Sequence, residues 1–212
     1  MVHSLFERSR AGVVRSATVA GVLLAVCGSA PCAAANGGGP LPGTHLVAEN
    51  GERDRQLDEL FATLQAARSQ SEADAVVAQI WSIWNTSGSD VIDELMQFAL
   101  ELMNMAAFAQ ALDVLNTVVQ QAPGYAEGWN RRATVLYIVD QHDLSLRDCE
   151  EVLRREPRHF GALTGMGLIA IAQGRHAAAL EFYRRALKAN PFLRERQEII
   201  PALEKKVEGQ PL

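Results

Sequence analysis

Pro123, Pro157 and Pro191 stand 34 residues apart, and shifting the chain by that interval superimposes much more than the prolines. Leu95, Trp129 and Leu163 fall together, as do the small residues Ala99, Ala133 and Gly167. Further along, Ala111 aligns with Ser145 and Ala179, Leu112 with Leu146 and Leu180, Leu115 with Cys149 and Tyr183, and Val118 with Val152 and Ala186. A period of this length constrains the fold more than composition does. Each unit is too short to bury a core alone and must stack on its neighbours.

Within each copy the apolar spacing is helical and comes in two runs. In the second copy Trp129, Ala133, Leu136 and Tyr137 mark one face, and Leu146, Cys149, Val152 and Leu153 mark another at i, i+3, i+6 and i+7. The stretch VDQHD supplies the turn between them, and the copy closes at Glu156-Pro157, where proline cannot continue a helix. Each unit is therefore an antiparallel helix pair. The small residues let the second helix approach the first closely, while the large residue four positions earlier fills the groove.

A large apolar residue, a small one, a second small one in the second helix and a closing proline form a pattern that resembles the tetratricopeptide repeat, and GWNRRATVLY is its most typical stretch here. The likeness is to small exported bacterial members of that family. It covers residues 92–193 as three copies, 92–125, 126–159 and 160–193, and implies an all-α, right-handed solenoid of antiparallel helix pairs. One departure is charged: where Phe98 and Met166 are apolar at a normally packed position, the second copy has Arg132. A buried arginine needs an acidic partner, and Asp148 on the paired helix is the candidate.

The flanking segments keep less of the pattern. In residues 54–91, Phe61, Leu64 and Trp81 fall one period before Leu95, Phe98 and Leu115, but Gln65, Trp84 and Ser89 stand where small residues and the proline belong. This predicts a degenerate N-terminal helix pair, with helices near 55–69 and 73–86. Residues 194–212 predict a capping helix, interrupted at Pro201, and a tail; Ile199, Ile200, Leu203 and Val207 share one face. Terminal units of such stacks are atypical because each turns one face to water.

In residues 1–35, Arg8, Arg10 and Arg15 precede an uncharged run with the apolar centre VAGVLLAV, ending in Ala33-Ala34-Ala35. These are the parts of a secretory signal peptide, cleaved before Asn36. The apolar run is shorter than the roughly 20 residues of a spanning helix. Cys27 and Cys32 follow Val26 and Pro31 rather than a small residue, so an uncleaved anchor and a lipoprotein are the lesser alternatives. The expectation is an exported, periplasmic protein with no membrane span in the mature chain. Residues 36–53, rich in Gly and Pro without a helical period, predict a flexible linker. Processing leaves Cys149 alone, so no intrachain disulfide forms.

Composition narrows the function. A formal net charge of -5 leaves no basic footprint for nucleic acid. The five histidines, His3, His45, His142, His159 and His176, include no pair at metal-ligand spacing, and Gly37 to Gly39 have no strand before them. Cys149 lies on a packed face and predicts a core filler, and His159 and His176 flank helix ends. No catalytic residue, metal or cofactor is expected. What remains is non-catalytic binding of a protein or peptide in the bacterial cell envelope, through the concave groove that the first helices line. The expected lining is Met96, Leu100 and Met103 from the first copy, Asn130, Thr134 and Tyr137 from the second, and Thr164, Leu168 and Ile171 from the third. Asn130 and Arg131 are placed to hold a peptide backbone or a carboxylate.

Family members that bind the acidic C-termini of chaperones carry several Lys, Arg and Asn residues along this groove. Here the first copy has no base, nor has the first helix of the third. An apolar peptide therefore suits the lining better, since Met adapts to varied shapes. The alternatives are that the chain's own N-terminal arm or a second copy covers these residues, the latter giving a self-assembling structural protein. A further alternative is an auxiliary subunit of an envelope enzyme complex. Charge is also graded: the first copy holds Asp93, Glu94, Glu101 and Asp113, while the third holds Arg175, Arg184, Arg185 and Lys188 against Glu181. Such a gradient suits head-to-tail association or orientation of a charged partner.

Overall fold

A computed structural model describes residues 42–209. The leader with its cleavage point, Cys27 and Cys32, the start of the expected linker and the end of the tail lie outside the described residues. The helices are α1 (Pro42–Ala66), α2 (Gln70–Asn85), α3 (Asp90–Asn104), α4 (Phe108–Gln121), α5 (Ala126–Ile138), α6 (His142–Arg155), α7 (Phe160–Ala172), α8 (His176–Ala189) and α9 (Glu195–Glu208). The pairs α3/α4, α5/α6 and α7/α8 stack into an all-α, right-handed solenoid.

The turns inside these pairs repeat as faithfully as the side chains. Ala106, Asp140 and Gly174 all adopt positive φ, at 56°, 59° and 72°. Just after each, an amide reaches back to the last turn of the first helix: Ala107 N donates to Leu102 O, Gln141 N to Leu136 O and Arg175 N to Ala170 O, each at 2.8 Å. This C-terminal motif satisfies carbonyls that the helix end would otherwise leave open. The small-residue position is equally strict. A Cβ on Gly167 would come within 2.6 Å of the Tyr183 ring, so α7 and α8 approach as closely as glycine allows.

Arg132 finds the acidic partner expected of it. Its guanidinium donates to both oxygens of Asp148 at 2.7 Å and to Asn116 Oδ1 at 3.0 Å. Asn116 lies on α4, so this repeat position faces the second helix of the preceding pair. Met166, one period later, is likewise buried beside Cys149 and Val152 of α6. Phe98, one period earlier, corrects the sequence expectation: it is 50% exposed, because among the described residues no preceding second helix covers it. Trp129 is half-buried, its Nε1 donating to Pro123 O at 3.0 Å and its ring lying beneath Arg132 and Arg155.

Three further expectations change. Helix α1 begins at Pro42, inside the segment expected to be linker to residue 53; proline loses nothing at a first helical position, where its N–H would be unpaired anyway. Helix α2 begins at Gln70 rather than near 73 because Ser69 accepts from Glu72 N while the Glu72 carboxylate accepts from Arg68 N. Helix α9 runs unbroken through Pro201, which is exposed, while Ile200 and Leu203 on its buried side pack against Ala179, Leu180 and Tyr183. Apolar anchors on either side of the proline hold the helix to α8.

The N-terminal pair does not stack as a fourth repeat. Leu57, Phe61 and Leu64 of α1, with Ala73, Val76, Ile80 and Trp84 of α2, close on Phe160 and Leu163 of α7 and Ala186 of α8. The core of α3 and α4, built on Ile92, Met96, Ala99, Ala111, Leu115 and Val118, draws nothing from α1 or α2 among the described residues. Gln65, at the small-residue position, is exposed and donates to the carbonyls of Lys188 and Ala189 at 3.0 Å each. It thereby satisfies the open C-terminal end of α8. Arg158 adds an ion pair to Asp58 at 2.6 Å.

Candidate functional site

Helix α2 lies against the N-terminal ends of α5 and α7. Trp84 stacks on His159 with ring centroids 4.0 Å apart, and Trp81 meets His159 and Phe160 edge-on. Trp81 also sits so near Gly161 that a Cβ there would come within 2.9 Å of its ring. The end of α2 is pinned by polar groups: Asn85 Oδ1 accepts from Arg131 at 3.0 Å, and the Asn85 carbonyl accepts from the Tyr125 hydroxyl at 2.9 Å.

Beneath this cover lies a buried charge. Glu127 accepts from Asn130 Nδ2 at 2.9 Å and from Arg131 at 3.3 Å, and its Oε2 is 3.4 Å from His159 Nε2. His159 Nδ1 accepts from Ala162 N at 3.1 Å, capping α7, and leaves Nε2 facing Glu127. Burial pushes the Glu127 carboxyl up, but His159, Arg131 and Asn130 together hold it below the usual carboxylate value. Cys149 behaves as a core residue: burial, with Asp148 and Glu150 nearby, pushes its thiol up to about 12. A thiol that rarely ionises is a poor nucleophile.

The ten expected lining residues divide into two groups. Met96, Asn130, Thr164 and Leu168 are buried, which corrects the open groove expected of them. Met96 joins the core of α3 and α4, Asn130 holds Glu127, and the Thr164 hydroxyl donates to Gly161 O at 2.9 Å. Leu168 is 9% exposed. Arg131 is half-buried and committed to Glu127 and Asn85 rather than free to meet a carboxylate. Leu100, Met103, Thr134, Tyr137 and Ile171 are half-buried and lie toward the C-terminal ends of α3, α5 and α7. The Tyr137 ring lies 5.3 Å from that of His142.

Sequence reasoning missed Glu127, Trp81, Trp84 and Asn85 as the residues at the junction of α2 with α5 and α7. The signal was present in the departures of Gln65 and Trp84 from the repeat pattern, since a pair that lacks the small residue cannot pack as its neighbours do. Among the described residues no three or more His, Cys, Asp or Glu side chains are grouped to hold a metal. No helix among them is long and apolar enough to cross a membrane.

Stacked antiparallel helix pairs define a helical-repeat solenoid. Residues 139–193 match the Tetratricopeptide repeat family. A TPR repeat-containing protein of Rhizobium etli is 38% identical over 155 residues, spanning 73% of this chain and 76% of that protein. The chain belongs to the tetratricopeptide-repeat family. Solved structures share its fold. The first TPR of Spaghetti (RPAP3), bound to the HSP90 peptide SRMEEVD, has a TM-score of 0.54 at 14% identity, covering 56% of this chain and 94% of that one. The crystal structure of MamA has a TM-score of 0.52 at 14% identity, covering 74% and 84%.

Proposed function

We propose that this chain is a non-catalytic adaptor of the bacterial cell envelope that binds an extended segment with apolar side chains along the part of its concave face left open by the N-terminal pair. One observation carries this reading: Leu100, Met103, Tyr137 and Ile171 stay half-buried on three successive first helices, in a strip without Lys or Arg. Such a strip suits apolar side chains, and Met adapts to their shape. The peptide on the Spaghetti domain is acidic; here Arg131 is occupied internally, which favours an apolar ligand over an acidic one. The envelope location rests on the features of residues 1–35.

Photo-crosslinking tests the site. A photoreactive residue at position 100 or 137 is expected to capture a partner in intact cells, and one at the exposed convex Leu144 is not. Leu100→Asp with Tyr137→Ala is expected to abolish that capture with the melting midpoint nearly unchanged, because neither residue belongs to a packed core cluster. Capture at 144 but not at 100 or 137 refutes the groove. Intact mass tests export: loss of the leader is expected, and an unprocessed chain in the cytosol overturns it. Self-assembly is the second reading, favoured by the graded charge, and a crosslink between two copies at position 100 selects it.

A further inference from the structure

At one end of the stack, Val91 and Phe98 of α3 and Met105 at its C-terminal cap are 61%, 50% and 76% exposed, and their spacing of seven places them in one row. Leu95 and Leu102 lie beside that row, half-buried. The fold itself shows what covers such a row. Arg132, one period after Phe98, is met by Asn116 of the preceding second helix, and Met166, two periods after, is buried beside Cys149 and Val152 of the next. At Phe98 no such helix is present among the described residues, because α1 and α2 have turned to α7 and α8. The empty place is therefore shaped for a helix.

Charge specifies which helix. Asp90, Glu94 and Glu101 are exposed along one edge of the row, and no Lys or Arg occurs between Arg68 and Arg131. We infer that this end of the stack is a docking site for a basic amphipathic helix of a partner protein, which takes the place of the preceding second helix. Its apolar face covers Val91, Phe98 and Met105, and its Lys or Arg residues meet Glu94 and Glu101. A second copy fits poorly. Two such faces would oppose their own acids, and the exposed side of α9 mixes Lys205 and Lys206 with Glu198 and Glu208.

The probe is a labelled synthetic helix of the length of α4, with leucines at i, i+3, i+4 and i+7 and lysines on both flanks, and a counterpart with glutamates instead. Fluorescence anisotropy with the purified protein is expected to show binding of the lysine peptide and at least about tenfold weaker binding of the glutamate peptide. Phe98→Asp is expected to weaken the lysine peptide at least about tenfold with melting unchanged. Because this change adds negative charge, mere electrostatic attraction would instead strengthen binding. Glu94→Lys with Glu101→Lys is expected to reverse the preference between the two peptides, and Leu100→Asp with Tyr137→Ala to leave it intact. The inference is overturned if the lysine peptide does not bind, if Phe98→Asp binds it as tightly, if the charge swap leaves the preference unchanged, or if the groove variant abolishes binding. It is also overturned if light scattering shows a dimer that Phe98→Asp splits, since a second copy would then be the cover.

Discussion

At the C-terminal end of the stack, α9 lays Ile200 and Leu203 over Ala179, Leu180 and Tyr183 and so closes the last repeat. At the N-terminal end, α3 and its C-terminal cap show Val91, Phe98 and Met105 to solvent, although a helix pair lies directly upstream across residues 86–89. The contrast teaches that adjacency in the chain does not decide which helix covers which face. Helix α9 carries a simple apolar stripe that fits the last second helix. The upstream pair carries Gln65 where a close approach needs a small residue, and two tryptophans where the repeats have smaller side chains. Gly88, at φ 84°, turns the chain between α2 and α3. The pair's large aromatic surface is buried instead against Phe160, Leu163 and His159.

If the upstream pair is anchored by its aromatic core, Trp84→Ala gives the largest loss, about 3 to 5 kcal/mol as a large-to-small change at a buried site. Urea unfolding measures it, and a loss below about 1 kcal/mol would remove Trp84 as an anchor. The matching change at the other end, Leu203→Ala, is expected to cost less, about 2 to 3 kcal/mol, because α9 closes its end with fewer buried side chains. A Leu203→Ala loss exceeding that of Trp84→Ala would invert the comparison.

The polar part of the anchor predicts a pH dependence. The folded value of Glu127 lies below its ordinary 4.5, so its contribution is full above that value and is lost as pH falls through the depressed one. Glu127→Gln is expected to cost about 2 kcal/mol at neutral pH and to fall off less steeply on acidification than the unchanged protein. Parallel stability profiles for the two would show that Glu127 carries no linkage. The smallest effect belongs to the open end: Phe98→Asp should shift stability by no more than about 0.5 kcal/mol, since the ring is half exposed. A loss of several kcal/mol there would mean that the end is already covered.

The legible parts of this protein are those in which one residue type serves one local need, repeated. The helix pairs follow from apolar spacing, and the close approach at Ala99, Ala133 and Gly167 follows from side-chain size. The ion pair of Arg132 with Asp148 follows from the cost of a lone buried charge. The candidate groove was legible only in part. Leu100, Met103, Thr134, Tyr137 and Ile171 are half-buried, as an open lining would require, whereas Met96, Asn130, Thr164 and Leu168 are buried.

Sequence by itself therefore determined the repeat, its helix pairs and the family, because those depend on contacts between residues at most one period apart. Only the tertiary structure decided where α1 and α2 go and which end of the stack they leave uncovered among the described residues. Those outcomes depend on contacts such as Gln65 with Lys188 and Trp84 with His159, between residues far apart in the chain. No periodicity encodes such pairs; shape and charge settle them once the repeats have stacked.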